Sequence, residues 1–334
     1  MKKEFKIGPL TAAEGEKVSG YLPIVNAEVE VPITLINGRN EGKTILICGG
    51  LHNAEYVGIQ SAIELADELD PENVSGNIIV IRLLNRTGFE HRTMSLVYED
   101  GKNINRVFPG SATGTLADQI AYTLEKDIYP FIDFFIDLHC GDGYEGLVPY
   151  VYCLGNASDY VVETSRKMAD IVQVDYLVVS MLDTEGAYNY AGSLGIPSIL
   201  IERGCKAVWD QALVEEDKKD VKNILRYLGI LGGEVQRTGS IPKEVNPVIY
   251  ENAPVTGCWY PSFQPGDTFK EGDVIGVIKD YFGNVLFTCY AKQNGIVLYE
   301  VISLCIIKDG PMITYGAWDQ EIDRHAERSK DVIM

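Results

Sequence analysis

The sequence predicts an α/β fold, in which a mixed, mostly parallel sheet has helices on both faces and is followed by a small all-β part. Two patterns support this. From about residue 20 to residue 240, apolar runs typical of strands alternate with amphipathic helical stretches. After about residue 240, short strands separated by turn signals replace that alternation. The chain has 334 residues, 46% of them hydrophobic, which is enough for a well-buried core. We therefore predict two domains, 1–240 and 241–334.

Apolar runs mark the strands of the first domain. The strand candidates are, in order, residues 26–36, 43–50, 77–84, 133–139, 149–154, 175–180 and 197–202. The helix candidates are residues 54–69, 115–129 and 211–230. In the second of these helices Thr115 stands at the capping position and Asp118 at the third helical position, as in a capping box.

The second domain contains PGDTFKEGDVIGVI, a hairpin and then AKQNGIVLY. This order is similar to the barrel-sandwich arrangement of lipoyl and biotinyl carrier domains. The hairpin has no lysine in the context where a carrier domain is modified. We therefore interpret the domain as a structural or substrate-gating cap instead of a swinging-arm carrier.

The balance of charge excludes some partners. Twenty-nine Lys and Arg against 48 Asp and Glu give a formal charge of −19, which repels phosphate backbones and anionic membranes. The first residues lack an apolar signal segment, and no run reaches the ~20 apolar residues of a membrane span. Seven cysteines without a C-x-x-C pair fit reduced, mostly buried thiols. We expect a cytoplasmic protein without nucleic-acid or membrane partners.

Three segments place a potential metal ligand where an apolar strand stops. KTILICGG is followed by His52 and Glu55, and IDFFIDL leads directly to His139. The carboxyl ends of strands in such a sheet face one crevice, so the three side chains should meet. Two His and one carboxylate are an established set for catalytic zinc. The sequence therefore predicts one zinc ion per chain, with His52 and Glu55 as neighbours on one helical turn.

Asp137 precedes His139 by two positions and so points to the same side of its strand. A metal-bound imidazole usually donates its other N–H to such a group. We predict that Asp137 accepts this hydrogen bond, and the alternative is that it caps a loop.

Glu202 ends the apolar strand PSILI and would be costly to bury without a partner. A hydrolase needs a group that takes a proton from water and passes it to the leaving amine, and we assign this role to Glu202. The alternative is an ion pair with Arg203 or another arginine.

The polar segment 83–110 is predicted to be an active-site loop. The planar guanidinium of its Arg106 is suited to a substrate carboxylate. Its Arg92 carries a charge that polarises a carbonyl or stabilises an oxyanion. A surface loop with solvated arginines is the alternative. Tyr188 is a candidate hydrogen-bond donor to the substrate.

Together these motifs resemble the succinylglutamate desuccinylase and aspartoacylase family of the zinc carboxypeptidase superfamily. The resemblance covers about residues 25–300 and rests on GGLHNAEY, NINRVFPG, DLH and IPSILIERG, in the family's order. It implies a zinc carboxypeptidase-like fold. It also implies zinc held by His52, Glu55 and His139, substrate recognition by Asn105 and Arg106, Arg92 near the carbonyl, and Glu202 as general base and then acid.

The leading functional hypothesis is a zinc-dependent amidohydrolase that deacylates a small, carboxylate-bearing N-acyl amino acid. A metallocarboxypeptidase that trims peptides uses the same chemistry and differs in access to the crevice. A non-catalytic zinc-binding protein would keep the metal ligands but would not need a base at Glu202. Homo-oligomerisation is compatible with each hypothesis.

Overall fold

The computed structural model describes residues 4–183, 185–236 and 239–317. Residues 318–334, the tail of the predicted second domain, lie outside this range. No helix in the described part of the chain is long and apolar enough to cross a membrane.

Up to residue 244 the described chain alternates strands and helices. The strands are β1 (Glu4–Ile7), β2 (Leu10–Ala13), β3 (Glu16–Pro23), β4 (Glu30–Asn37), β5 (Asn40–Gly49), β6 (Ser75–Ile81), β7 (Phe134–His139), β8 (Glu145–Leu147), β9 (Tyr150–Leu154), β10 (Tyr176–Ser180), β11 (Ser198–Glu202) and β12 (Lys243–Glu244). The helices are α1 (Tyr56–Glu68), α2 (Arg86–His91), α3 (Leu116–Asp127), α4 (Asp159–Ile171), α5 (Ala187–Ser193) and α6 (Gln211–Tyr227).

Nine of these strands form one sheet in the order β12-β10-β9-β11-β7-β5-β6-β4-β3. The central pairs β11·β7, β7·β5 and β5·β6 are parallel, whereas β9·β11, β6·β4 and β4·β3 are antiparallel. The predicted mixed, mostly parallel sheet is thus confirmed. Strands β7 and β11 and the second half of β5 are nearly continuous apolar runs because both of their faces are covered.

Helices cover both faces of this sheet, as predicted. On one face, side chains of α1, α4 and α6 pack against the strands, for example Leu65, Met168 and Ile224. On the other face the packing comes from α3 and α5, through residues such as Ile120 and Ala191. Asp118 accepts hydrogen bonds from the backbone N–H and the hydroxyl of Thr115 at the start of α3, as the capping box requires.

Several elements are not predicted from the sequence. These are the hairpin β1·β2, the strand β3 and the helices α2, α4 and α5. Helix α4 lacks a side-chain hydrogen bond at its N-cap, and α2 and α5 are only six and seven residues long. Short helices carry too little periodicity to be distinguished from loops.

The rest of the described chain is antiparallel. Its strands are β13 (Val248–Asn252), β14 (Gly257–Pro261), β15 (Thr268–Phe269), β16 (Val274–Lys279), β17 (Val285–Tyr290), β18 (Gly295–Val301), β19 (Cys305–Ile306) and β20 (Pro311–Gly316). They form a sheet β13-β20-β18-β15 and a second sheet β17-β16-β14-β19 around a common apolar cluster. The predicted C-terminal all-β part is confirmed.

Strands pair across the predicted domain boundary at residue 240. Strand β12 follows this boundary but pairs with β10 of the large sheet. Conversely, β8 lies just after His139 in the chain and pairs with β18 of the C-terminal part. The C-terminal strands are therefore attached next to the predicted metal site.

Candidate active site

The carboxyl ends of three adjacent parallel strands bring the predicted site residues together. His139 is the last residue of β7, and Glu202 is the last residue of the neighbouring strand β11. These two residues are register partners. On the other side of β7, strand β5 ends at Gly49, and the turn that follows it carries His52. The topology of the parallel sheet therefore creates the crevice that the sequence predicts.

His52 and Glu55 lie in a turn before α1, so the prediction that they share a helical turn is wrong. The helix begins at Tyr56, and Glu55 is its N-cap residue with φ −91° and ψ 72°, outside the helical region. The Glu55 backbone N–H donates to the His52 carbonyl oxygen, with an N–O distance of 3.4 Å. This turn, not the helix, sets the spacing of the two side chains.

His52, Glu55 and His139 form a compact group of potential metal ligands. Their ligand atoms all lie within 4.8 Å of one another. Glu55 stands between the imidazoles, with Oε1 2.6 Å from His52 Nδ1 and Oε2 3.0 Å from His139 Nδ1. The two rings are nearly perpendicular, at 88°. Two imidazole nitrogens and a carboxylate that converge on one point make a donor set that suits zinc.

The outer nitrogens of both imidazoles face oxygen atoms. His52 Nε2 lies 3.1 Å from Asn103 Oδ1, and His139 Nε2 lies 3.3 Å from Asp137 Oδ2. Asp137 is fully buried and lies beside His139, but neither of its oxygens nor His139 Nε2 forms a hydrogen bond among the described residues, so the predicted hydrogen bond is not made here. In metal sites such outer partners typically fix the imidazole tautomer, which leaves the other ring nitrogen available to the cation.

The charged side chains of this group shift one another's pKa values. Burial alone raises the pKa of Glu55, but the charges of His139 and His52 outweigh burial and lower that pKa to about 2. Burial lowers the pKa of His139, whereas Glu55 and Asp137 raise it well above its usual value. Glu55 thus remains an anion between two imidazoles, the arrangement that attracts a divalent cation.

Glu202 is placed beside this group with a free carboxylate oxygen. Its Oε2 is buried and has no hydrogen-bond partner among the described residues. Burial, followed by the negative charge of Glu55, raises the pKa of Glu202 well above its usual range. A carboxyl group with a raised pKa is suited to take up a proton and release it again.

The alternative for Glu202, an ion pair with Arg203, does not occur. Successive strand residues point to opposite faces, so Arg203 turns away from the crevice towards α6. Its guanidinium is fully buried and pairs with Asp217 and with Asp220, the latter at an N–O distance of 2.6 Å. Arg203 therefore joins the sheet to α6 and leaves Glu202 without a cationic side chain as partner.

A cavity of about 890 Å³ opens at these strand ends. One side belongs to the large sheet and its loops, and the other to the C-terminal part through residues such as Tyr250, Tyr299 and Thr314. The lining includes His52, Glu55, His139, Glu202, Asn105, Arg106 and Tyr188. Seven of the predicted site residues thus border one space of a size that holds a small molecule.

The predicted substrate-binding side chains differ in how firmly hydrogen bonds hold them in place. Asn105 is buried, and its Oδ1 accepts the Ala187 backbone N–H at 2.8 Å. The Tyr188 hydroxyl donates to Ser180 Oγ at 2.7 Å. The Arg106 side chain is about half exposed, with Nε 3.7 Å from Glu185 Oε2. Among the three, Arg106 is the one that is free to reorient towards a ligand.

Arg92 is not brought to the site. It ends α2 in the left-handed conformation, with φ 57°, and is exposed to solvent. It is absent from the described residues that line the cavity. The loop that was expected to deliver it folds instead as a short helix whose end faces solvent.

The structure adds polar residues that sequence reasoning did not single out. Glu145 lines the cavity, and its Oε1 accepts the Tyr299 hydroxyl at 3.1 Å. Burial and then the nearby Asp142 raise the pKa of Glu145 to about 7. Asn103 stands in NINR, two residues before Asn105, and this position was the available sequence signal for a partner of His52. Glu145 and Tyr299 had no such signal, because they meet only through the pairing of β8 with β18.

A model of a protein family matches this chain over residues 41–228, more than half of its length. Its description is the succinylglutamate desuccinylase/aspartoacylase catalytic domain. The matched segment contains all the residues of the metal group and Glu202. It ends before the antiparallel C-terminal part.

Individual proteins are similar over a longer range. An N-alpha-acetyl-L-2,4-diaminobutyric acid deacetylase of Halomonas elongata is 28% identical over an alignment of 286 residues, with 78% of this chain and 78% of that protein covered. The product-bound ectoine utilization protein EutE (DoeB) of Ruegeria pomeroyi superposes with a TM-score of 0.80 at 22% identity, covering 90% of this chain and 95% of that one. A succinylglutamate desuccinylase/aspartoacylase of Rhodobacter sphaeroides gives 0.78 at 24%, covering 91% and 96%. These two structures share the fold of this chain, including its C-terminal part.

Proposed function

The chain belongs to the succinylglutamate desuccinylase/aspartoacylase family, and we propose that it is a zinc-dependent hydrolase that deacylates a small N-acylated amino acid. The family and the deacetylase relative support a deacylating enzyme. The observation that carries the proposal is the unpartnered carboxylate of Glu202 beside the group of His52, Glu55 and His139.

The chain's own residues fit zinc. His52, Glu55 and His139 would provide three ligands, and the cavity beside them has room for water or substrate, as catalytic zinc sites require. Asn103 and Asp137 orient the two imidazoles from outside. When bound, zinc lowers the pKa of a water molecule and polarises a carbonyl group.

Glu202 supplies the proton transfer. In the proposed reaction its carboxylate accepts a proton from the attacking water and then gives this proton to the nitrogen of the departing amine. Its Oε2 is buried without a hydrogen-bond partner among the described residues, so no protein group competes for that proton. No other buried carboxylate among the described residues occupies a register position directly beside a metal ligand.

Arg106 is proposed to bind the substrate carboxylate. Its guanidinium is partly exposed at the cavity, with a loose contact to Glu185 and one hydrogen bond to the Asn105 carbonyl oxygen at 3.0 Å. Asn105 holds the start of α5 in place through Ala187, and its remaining amide N–H groups are available at the cavity wall. Tyr188 borders the same wall, with its hydroxyl already bonded to Ser180.

The charged side chains that line the cavity indicate which charge the amine half of the substrate carries. Besides Glu55 and Glu202, the described lining carries the carboxylates of Glu145, Asp183 and Glu185, whereas Arg106 is its one Lys or Arg side chain. This balance disfavours substrates with two or more carboxylates. We propose an N-acyl amino acid with a second, protonated amino group, as the diaminobutyrate relative's name suggests.

Access to the cavity separates this proposal from a peptidase. Residues of the C-terminal part, among them Pro247, Tyr250 and Pro311, border the space opposite the strand ends. We propose that the domain predicted from residue 241 onwards is a cap that limits the cavity to small substrates. A peptidase would need a groove that continues past this border. Location in the cytoplasm stays a prediction.

The test is the release of acyl groups from a panel of substrates by the purified protein. The panel contains N-acetyl derivatives of 2,4-diaminobutyrate, glutamine and glutamate, and a tetrapeptide. We expect cleavage of the N-acetyl amino acids, fastest for the cationic one, and none of the tetrapeptide. Faster cleavage of the tetrapeptide would favour the carboxypeptidase alternative, and the absence of any cleavage in the presence of zinc would refute the proposed function.

A further inference from the structure

Two cysteines of the C-terminal part lie directly opposite each other on neighbouring strands. Cys258 of β14 is the register partner of Cys305 of β19 in an antiparallel pair. The adjacent Trp259 N–H donates to the Leu304 carbonyl oxygen at 2.8 Å. Because hydrogen-bonded and non-hydrogen-bonded positions alternate along such a ladder, Cys258 and Cys305 occupy a non-hydrogen-bonded position.

This position brings the two thiols close together. In a non-hydrogen-bonded pair the Cα atoms are about 4.5 Å apart and both side chains project from the same face of the sheet. A disulfide accepts Cα separations of about 4.4 to 6.8 Å and Cβ separations of about 3.5 to 4.5 Å. A bond between the two Sγ atoms therefore requires the strands to approach only slightly.

The surroundings permit that approach. Strand β19 has two residues and is the outermost strand of its sheet, so β14 is its one strand partner among the described residues. Cys305 is exposed to solvent and Cys258 is half-buried. The chain's other cysteines are less accessible than Cys305, four of them being buried: Cys48, Cys140, Cys153 and Cys289. An external oxidant thus meets Cys305 first, with Cys258 as its nearest thiol.

We propose that Cys258 and Cys305 are a thiol–disulfide site, which closes to an intramolecular disulfide by exchange with a low-molecular-weight disulfide such as oxidised glutathione. The Cys305 thiolate attacks one sulfur of the glutathione disulfide, which releases one glutathione thiolate and leaves a mixed disulfide. The Cys258 thiolate then attacks Cys305 Sγ and releases the second glutathione. The two cysteine protons pass to the two glutathione thiolates, so that the protein loses two electrons and glutathione disulfide gains them.

The crosslink would lie a short distance along the chain from the proposed active site. Strand β18 carries Tyr299 at the cavity, and the chain reaches Cys305 six residues later. Between them, the Ile302 N–H donates to the Tyr144 carbonyl oxygen at 2.8 Å. The disulfide would fix the far end of the segment that carries Tyr299. The thiol–disulfide site itself depends on the strand pairing and not on the proposed hydrolase activity.

The test is peptide mapping without reduction after the full chain is equilibrated with oxidised and reduced glutathione. We expect a mass lower by two hydrogens and a crosslinked peptide that joins Cys258 to Cys305. Cys305→Ser, at an exposed position, should abolish the crosslink, whereas the control Cys205→Ser should retain it. Glutathione adducts without the crosslink, a crosslink to another cysteine, or unchanged thiols at all glutathione ratios would each overturn the proposal.

Discussion

Glu202 and His139 are register partners at the ends of two adjacent parallel strands, and Glu202 Oε2 is buried without a hydrogen-bond partner among the described residues. A buried carboxyl group without a partner costs free energy of folding. Neighbouring apolar positions of β11, such as Ile201, carry no such cost. This cost is consistent with the proposed role of Glu202 in proton transfer.

Replacing Glu202 by Gln keeps the shape of the side chain and removes its basicity. We expect kcat for N-acyl amino acid hydrolysis to fall about 10²- to 10⁴-fold, the usual contribution of general acid–base catalysis. Zinc content should not change, because Glu202 is not one of the proposed ligands. Steady-state kinetics and elemental analysis of the same preparation measure both. A kcat within about threefold of the wild type would remove Glu202 from the proposed mechanism.

Asn103 and Asp137 are expected to tune metal affinity without binding the metal. Asn103→Ala frees His52 Nε2 and Asp137→Ala frees His139 Nε2. Each change should weaken zinc binding about 10- to 100-fold, as the loss of an imidazole's outer partner typically does. Competition with a zinc-binding dye measures the change. Affinities equal to that of the wild type would show that the two imidazoles are oriented by other contacts.

Arg106→Met tests the proposed carboxylate contact. The substitution removes the guanidinium but preserves much of the length of the side chain. We expect kcat/KM for a free N-acyl amino acid to fall by about 10-fold or more, since hydrogen bonds to charged groups contribute about 1.5–3 kcal/mol. The same substrate with its carboxylate converted to an amide should be cleaved slowly and equally by both proteins. An equal loss on both substrates would indicate that Arg106 has a structural role instead.

The contact between α1 and α6 should respond to acid. Burial raises the pKa of Glu64, but hydrogen bonds, foremost from Gln60 and Lys218, outweigh it and lower the pKa to about 2. Lys218 Nζ also lies 2.6 Å from Glu68 Oε1 and 2.8 Å from Glu215 Oε1. Because the folded-state pKa of Glu64 is depressed, its stabilising contribution is present above about pH 4.5 and is lost as the pH falls towards 2.

Lys218→Met removes the shared cation of this cluster. We expect the free energy of unfolding at pH 6 to fall by about 1–3 kcal/mol, and the difference from the wild type to shrink below pH 4. Urea unfolding at the two pH values measures both quantities. Arg39→Met, at an exposed ion pair with Glu72, is the control and should lower the free energy of unfolding by less than Lys218→Met does. A difference that grows in acid would contradict the assignment.

The sequence was sufficient to predict the large sheet and the metal group. The runs before His52, His139 and Glu202 are apolar because their strands are buried on both faces, and parallel strands end at one edge. The local turn at Glu55 could not be predicted, since a three-residue spacing fits a helix and a tight turn equally well.

Tertiary pairing determined what the sequence could not predict. Glu145 and Tyr299 are 154 positions apart in the chain and meet because β8 joins β18 across the predicted domain boundary. Residue type and loop position predict Arg92 as an active-site residue, but the left-handed end of α2 turns its side chain to solvent. The residue type indicates what a side chain can do chemically, whereas the path of the loop determines whether that side chain reaches the cavity.

The most direct test of the account is a titration of the metal-free protein with zinc while acetate release from N-acetyl-2,4-diaminobutyrate is followed. His139→Ala serves as the control, because it removes one ligand of the group formed with His52 and Glu55. We expect activity to rise linearly and to stop rising at one zinc per chain, and the variant to remain inactive at that ratio. Activity that is independent of zinc, or a protein that binds one zinc and releases no acetate from any N-acetyl amino acid, would contradict it.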